Sequence, residues 1–372
     1  MRIHVVRETT PGEKRVALVP EIAKKLVKAG HEVTVERGAG VASGIPDAEF
    51  EEAGVRVLDP DAAALAPGDI VLRVRPPADH DMARLPRGAV LVSMLDPLGQ
   101  PERAHRLAAA GVDAYALELV PRTTRAQSMD VLSSQANLAG YRAVIEAAAR
   151  LPKVFPMLMT AAGTIPPAKV LVLGAGVAGL QAIATAKRLG AVVRAFDIRP
   201  VVKEQVESLG AQFVGLTLDE AQTEGGYAKE VSEDVHRREQ EVLAKFTKDS
   251  DVVITTAQVP GKRAPVLVTR EMVESMHAGS VIVDLASDSG GNCELTRNGE
   301  EFEHRGVRIV ALPDAASGAA ANASRVYARN VASLLELLVR DGRHAPVLDD
   351  DIVAAVAVTR AGAVVHPRLA SL

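Results

Sequence analysis

The 372-residue chain reads as an α/β protein made of two Rossmann-like, doubly wound parallel-sheet domains with a cofactor cleft between them. Three observations predict this class. Short β-branched apolar runs recur in both halves, and segments of helical period separate them. One of these runs, Lys169-Val170-Leu171-Val172-Leu173, passes straight into Gly174-Ala175-Gly176-Val177-Ala178-Gly179 and then into a helical stretch. Continuous apolar runs mark strands buried on both faces, as parallel strands are when crossover helices cover the sheet.

Taken in order, Ile3–Val6 predicts a first strand and Pro20–Ala29 a helix that stops at Gly30. Val33–Glu36, Ile70–Val74 and Val90–Val92 follow as strands with helical segments between them. From about Asp130 to Arg150 the period is helical over many turns, long enough to bridge two domains. Met157–Pro167 is apolar but punctuated by Gly and Pro, so it fits either a buried linker or a hairpin arm packed on a second subunit. The alternation then restarts, with strands expected at Val170–Leu173, Val192–Phe196, Val252–Ile254, Val281–Val283 and Ile309–Val310. Asp219–Lys248 is highly charged, opens around Gly225-Gly226, and reads as a mobile surface loop followed by a polar helix. Asn322–Leu338 is an amphipathic helix and Val358–His366 a terminal hairpin. The predicted domains are 1–130 plus 315–372, and 131–314 with a possible dimer-arm hairpin at 153–168.

Composition excludes several classes. With 48% apolar and 24% charged residues of both signs, the chain is globular and not disordered. A net charge of -4, scattered cations and no tryptophan give nucleic acid neither a basic track nor a stacking platform. No apolar run reaches the ~18 residues of a spanning helix. Ile352–Val358 is cut by Thr359-Arg360, so no direct membrane insertion is expected, while docking on a membrane partner stays open. Met1–Val6 enters a strand at once and leaves no room for a signal peptide. The lone Cys293 has no histidine nearby and reads as a small buried hydrophobe. The nine histidines lack ligand spacing, so no metal site is expected, and no Ser-centred nucleophile elbow is present.

A bare G-x-G-x-x-G is a weak signal. Here strand, turn, helix (Leu180–Leu189) and a second strand ending at Asp197 all stand in their required places. Gly174 permits the tight turn, Gly176 lets a pyrophosphate approach the backbone, and Gly179 lets helix and strand pack closely. The helix N-terminus supplies N–H donors and partial positive charge. Asp197 can accept the hydroxyls of the adenosine ribose and would repel a 2′-phosphate, which favours NAD(H) over NADP(H). Arg199, two residues on, is placed to soften that repulsion.

A second constellation, Arg122-Thr123-Thr124-Arg125-Ala126-Gln127-Ser128-Met129-Asp130, gathers cations, hydroxyls, an amide and a carboxylate at the expected domain boundary. It reads equally as a ligand site and as a solvated turn in which Asp130 or Ser128 caps the next helix. Gly12-Glu13-Lys14-Arg15 is polar and near a domain entrance. Asp284 and Asp288 straddle a strand end before Gly290-Gly291; Asp288 could equally cap a turn.

Arg122–Asp130 followed by Val131-Leu132-Ser133-Ser134-Gln135-Ala136-Asn137-Leu138-Ala139-Gly140-Tyr141 closely resembles the alpha-subunit family of proton-translocating NAD(P) transhydrogenases. So do the glycine turn, Gly225-Gly226-Tyr227-Ala228-Lys229, and Thr255-Thr256-Ala257 with Pro260-Gly261-Lys262. The similarity runs nearly end to end. It implies a homodimer whose arm around Met157–Pro167 crosses to the partner, and a final segment returning to the first lobe. It further implies hydride exchange between NADH bound here and NADP+ on a separate beta component, coupled by a membrane-spanning component to proton movement. The chain would then be cytoplasmic and peripheral on the inner face of the membrane, held there through its partners.

By resemblance, Arg122, Gln127, Asp130 and Ser133 surround the nicotinamide. Thr123, Thr124, Gly174, Gly176, Val177, Gly179, Asp197, Ile198, Arg199, Gly226, Tyr227 and Gln258 contact the rest of NAD(H), with Tyr227 on a loop that closes over it. Direct transfer between two nicotinamides needs alignment and dryness, not an acid–base residue. The related alanine dehydrogenases use a histidine near Val90–Leu95, where this chain has Val92-Ser93-Met94-Leu95-Asp96. Arg15 nevertheless matches an amino-acid carboxylate binder, and Arg75 stands where lysine is usual. Asp288 fits the dehydrogenases better than the transhydrogenases. An alanine dehydrogenase-like oxidoreductase is therefore the alternative, and a non-catalytic NAD-binding sensor a third reading.

Overall fold

The computed structural model describes residues 1–62, 65–215, 233–258 and 261–370. The chain forms two compact units, Met1–Gln135 with Ser317–Leu372, and Ala136–Ala316, where the sequence predicts breaks after 130 and 314. The first crossing falls inside a long helix, α1 (Val131–Arg150).

In the first unit six parallel strands, β1 (Arg2–Val5), β2 (Glu32–Glu36), β3 (Arg56–Leu58), β4 (Ile70–Leu72), β5 (Val90–Ser93) and β6 (Asp113–Ala116), lie in the order β6-β5-β4-β1-β2-β3. Two antiparallel C-terminal strands, Ala357–Arg360 and Ala363–Val364, extend the β6 edge. The terminal hairpin expected at Val358–His366 is thus a sheet edge of the first unit. The sheet is covered on both faces: Ile3, Val5, Ile70, Leu72, Val90 and Val92 enter one apolar cluster, Val71, Leu91 and Ala114 another. Each fully buried Val, Leu or Ile contributes about 1.5–3 kcal/mol.

The second unit repeats the plan. Its strands are β7 (Leu158–Thr160), β8 (Gly163–Ile165), β9 (Lys169–Leu173), β10 (Val192–Phe196), β11 (Gln212–Phe213), β12 (Val252–Thr255), β13 (Val281–Asp284), β14 (Glu301–His304) and β15 (Val307–Ala311). Seven of them form a sheet of order β11-β10-β9-β12-β13-β15-β14, parallel except for the β14–β15 hairpin. In both units the strand order reverses beside the first strand of the sheet, at β1/β4 and β9/β12, the kind of point where open α/β sheets take ligands.

β7 and β8 pair only with each other, Leu158 opposite Ile165 and Thr160 opposite Gly163. All six residues are exposed, Met159 among them at 79%. The buried-linker reading of Met157–Pro167 is therefore wrong: the segment is a hairpin that hides none of its strand side chains within its own unit.

Helix α2 (Val177–Arg188) follows the glycine turn and meets α1 at very short range. A Cβ on Gly140 of α1 would fall 2.0 Å from the carbonyl oxygen of Ala178. The one glycine in α1's helical run thus marks the crossing of two helices.

Candidate functional site

The glycine turn is built as its three roles require. Gly174 has φ +95° and its N–H donates to the Phe196 carbonyl at 2.8 Å, tying the ends of β9 and β10. Any side chain there would be strained and would meet Thr256 Oγ1 at 2.7 Å. Gly179 is closed from the other side, since its Cβ would lie 1.8 Å from the Gly174 carbonyl oxygen. Gly176 differs, with nothing within 4 Å of the place a Cβ would take. This open space lies at the N-terminus of α2, where N–H donors and the helix dipole favour an anion. Val177, the first residue of α2, is exposed at the same end. The residues present fit a dinucleotide pyrophosphate.

Asp197 stands one residue beyond β10, only 6% exposed. Its carboxylate is already engaged. Ala175 N–H donates to Oδ2 at 2.7 Å, and Arg199 donates its backbone N–H and Nε to Oδ1, both at 2.9 Å. Arg199 Nη2 adds a fourth bond to Oδ2 at 2.8 Å. Ile198 between them is half-buried against the apolar cluster on that face.

Across the strand-order reversal, Thr256 Oγ1 donates to the carbonyls of Leu173 and Gly174 at 3.2 and 3.0 Å. Gln258 Nε2 reaches Leu285 O and Asp288 Oδ1, each at 3.1 Å. Asp284 proves structural. Fully buried, it accepts from Thr255 Oγ1, Thr296 Oγ1 and the N–H groups of Ala286, Asn292 and Cys293. Cys293 is 1% exposed and burial pushes its thiol up to about 11, so thiolate chemistry is disfavoured. Gly225, Gly226, Tyr227, Lys229 and Pro260 lie outside the described residues.

In the first unit, Thr124–Met129 forms a short 3-10 helix with Thr123 as its N-cap. Side chains three apart eclipse in such a turn. Ala126 and Met129 point into the core at 0% and 6% exposure, which leaves Thr124 and Gln127 outward, with Arg122 and Thr123 exposed just before them. Asp130 then caps α1: Oδ1 accepts from Ser133 N–H at 2.9 Å and Oδ2 from Ser133 Oγ at 2.6 Å. The helix-cap reading of this turn is correct for Asp130, and it locks together two of the four residues expected at the nicotinamide. Arg125 forks onto Asp350 at 2.7 and 2.9 Å, and the Arg125 guanidinium holds that carboxyl down at about 2.

Where the strand order of the first unit reverses, charges are massed but internally paired. Arg15, 2% exposed, donates to both oxygens of Glu13 at 2.8 and 2.6 Å and to Gln135 Oε1 at 2.8 Å. Arg75 Nε adds a bond to Glu13 at 2.9 Å. Two buried acids nearby escape a reading of the sequence. Burial pushes both Glu8 and Glu118 up to about 7. Glu118 accepts from the N–H groups of Leu95 and Asp96 through one oxygen, while its other has no partner among the described residues. Glutamates at strand ends are common, and only burial sets these two apart. Asp96 adopts φ +49° and its Oδ1 accepts from Gly99 N–H at 3.2 Å.

Two doubly wound sheets, one with a glycine turn of this geometry, define a Rossmann-type α/β oxidoreductase component. Models of the alanine dehydrogenase/PNT N-terminal and C-terminal domains match residues 4–139 and 143–367. The chain belongs to the alanine dehydrogenase/PNT family. It is 49% identical to the first portion of the NAD(P) transhydrogenase alpha subunit of Rhodospirillum rubrum over 381 residues, covering 99% of each chain. A transhydrogenase structure from Sinorhizobium meliloti superposes with a TM-score of 0.86 at 47% identity, covering 99% of both chains. An alanine dehydrogenase of Halomonas elongata is 32% identical over 301 residues, covering 80% of this chain and 75% of that one.

Proposed function

We propose that this chain is the NAD(H)-binding component of a proton-translocating NAD(P) transhydrogenase. The bound nucleotide supplies the redox chemistry: hydride leaves C4 of NADH for C4 of NADP+ on a separate beta component, giving NAD+ and NADPH. What this chain does is bind, orient and keep dry.

Gly174, Gly176, Val177 and Gly179 hold the pyrophosphate at the α2 N-terminus, and Asp197, Ile198 and Arg199 meet the adenosine. Gln258, Gly226 and Tyr227 complete the nucleotide contacts, with Thr123 and Thr124 beside the nicotinamide residues. Arg122, Gln127, Asp130 and Ser133 orient the nicotinamide. Gln127 donates or accepts without changing charge, which suits a step in which no proton moves. A homodimer joined through the exposed hairpin arm, a membrane-spanning component that couples proton movement, and a cytoplasmic, peripheral location belong to the same reading. No helix among the described residues is long and apolar enough to cross a membrane.

The observation that carries the proposal is the end of β5. Ser93-Met94-Leu95-Asp96 brings no histidine there, while the 3-10 turn displays an amide and hydroxyls. An amino-acid dehydrogenase has to move protons at the substrate nitrogen. Two nicotinamides do not. The alternative draws on Arg15, but that guanidinium is buried against Glu13 and Gln135.

The test mixes the chain with a purified NADP(H)-binding component and follows reduction of NADP+ or an analogue by NADH, with L-alanine oxidation run alongside. Partner-dependent hydride transfer is expected. Robust alanine turnover without it would favour the dehydrogenase, and NADH binding with neither activity a sensor.

A further inference from the structure

We infer that Asn330 is a positioning residue for hydride transfer, acting through the 3-10 turn that displays Gln127; the inference rests on the reading of that turn given above. Asn330 lies on α3 (Ala320–Leu338), packed beneath the turn and only 6% exposed. Its side-chain amide spans two pieces of backbone that flank the proposed nicotinamide residues. Nδ2 donates to the Ser128 carbonyl at 2.7 Å, and Oδ1 accepts from Ser134 Oγ at 2.7 Å. Ser128 directly follows Gln127; Ser134 directly follows Ser133, which is bonded to Asp130.

The need for such a brace follows from the turn itself. A 3-10 turn has poorer hydrogen-bond geometry than an α-helix, and runs of this length are uncommon without outside support. Within the turn, Ala126 N–H reaches the Thr123 carbonyl at 3.1 Å and Asp130 N–H the Gln127 carbonyl at 3.3 Å, both longer than the bond from Asn330. Ala126 and Met129 hold the turn down through apolar contact, which fixes its depth but resists rotation about the turn axis weakly. The two bonds of Asn330 fix that rotation, and with it the direction of Gln127. Ser134 in turn fixes which way the amide faces, because its hydroxyl donates and so requires the oxygen on its side. Asn330 touches no reacting atom. It acts through Ser128 and Ser134.

The experiment compares Asn330→Asp, Ser134→Ala and Gln127→Asn in the full chain. Each is measured for Tm, NADH affinity by titration of NADH fluorescence, and single-turnover hydride transfer with the NADP(H)-binding component. Asn330→Asp keeps an acceptor for Ser134 but replaces the donor to Ser128 by an oxygen. It is expected to slow hydride transfer about tenfold while NADH affinity changes by less than about twofold, because small misplacement of an oriented group costs rate before affinity. Ser134→Ala should slow transfer about threefold with Tm unchanged, as the amide loses its orientation but not its place.

Unchanged transfer per folded molecule in Asn330→Asp, or in Ser134→Ala should Asn330→Asp fail to fold, overturns the inference. So does a parallel loss of affinity and rate. Gln127→Asn separates the two levels: if it leaves transfer intact, the underlying reading of the turn fails, whereas slowing by Gln127→Asn alone condemns only the brace.

Discussion

Arg199 lies across the carboxylate of Asp197, its Nε 2.9 Å from Oδ1 and its Nη2 2.8 Å from Oδ2. With the backbone N–H groups of Ala175 and Arg199, four donors face a group that offers about four lone-pair sites. A ribose hydroxyl can donate to Asp197 only when the guanidinium moves aside. A displaced Arg199 would then stand near any 2′-phosphate. Removal of this cation by Arg199→Ala should widen the preference for NADH over NADPH about tenfold, since a bidentate cation is the natural partner of a phosphate. Fluorescence titration of both nucleotides reads the ratio, and an unaltered ratio removes Arg199 from selectivity.

Three glycines in and around the turn separate folding from binding. Gly179→Ala and Gly140→Ala place a methyl within 2.0 Å of a backbone carbonyl oxygen, so each should cost at least ~3 kcal/mol in unfolding by denaturant. Gly176→Ala meets nothing within 4 Å and should leave Tm unchanged, yet bind NADH at least ~10-fold more weakly by filling the space a pyrophosphate needs. A stable Gly176→Ala with full affinity would rule out that placement of the phosphates.

Gln127→Asn shortens the side chain by one methylene while keeping the amide. Hydride transfer with the NADP(H)-binding component should fall at least ~10-fold while NADH binding weakens less than ~2-fold, the signature of lost orientation. Equal loss of both would refute a positioning role.

Glu118 makes stability depend on pH. Its folded carboxyl stands at about 7 against an ordinary value near 4.5, so between these values the folded state holds a proton that the unfolded state has lost. The stabilisation is complete below pH 4.5 and is lost as pH rises through 7, on the order of 3 kcal/mol across that window. Glu118→Gln keeps an acceptor for Leu95 and Asp96, fills the unpartnered position with an uncharged amide, and should flatten this part of the unfolding profile. Glu8 should retain a slope of the same sign, because burial raises it while Arg73 only partly opposes the shift.

Much of the fold is legible in the sequence because buried parallel strands must be apolar on both faces. Val170–Leu173, Val192–Phe196 and Val281–Val283 need no tertiary knowledge to be read as strands. Asp113–Ala116 escapes such a reading. An Asp-Ala-Tyr-Ala run has little β-branched character and is a strand because β5 and the C-terminal strand pair with its two edges. The exposed arm at Leu158–Ile165 has a composition equally suited to a core, and pairing and exposure distinguish the two.

Read alone, the amino-acid order specifies two doubly wound sheets, the glycine turn at Gly174–Gly179, and the family to which the Arg122–Asp130 stretch points. Periodicity and spacing are local properties, and a strand–turn–helix needs only neighbours along the chain. Folding settles what each polar group is free to do. Asp284 is wholly spent on backbone and threonine donors, Asp130 is bound to Ser133, Asp197 is covered by Arg199, and Asn330 braces a turn about 200 residues away in sequence. Most of these arrangements depend on strands and helices distant along the chain. A carboxylate's hydrogen bonds and burial, which set its chemistry, exist only once the chain has folded.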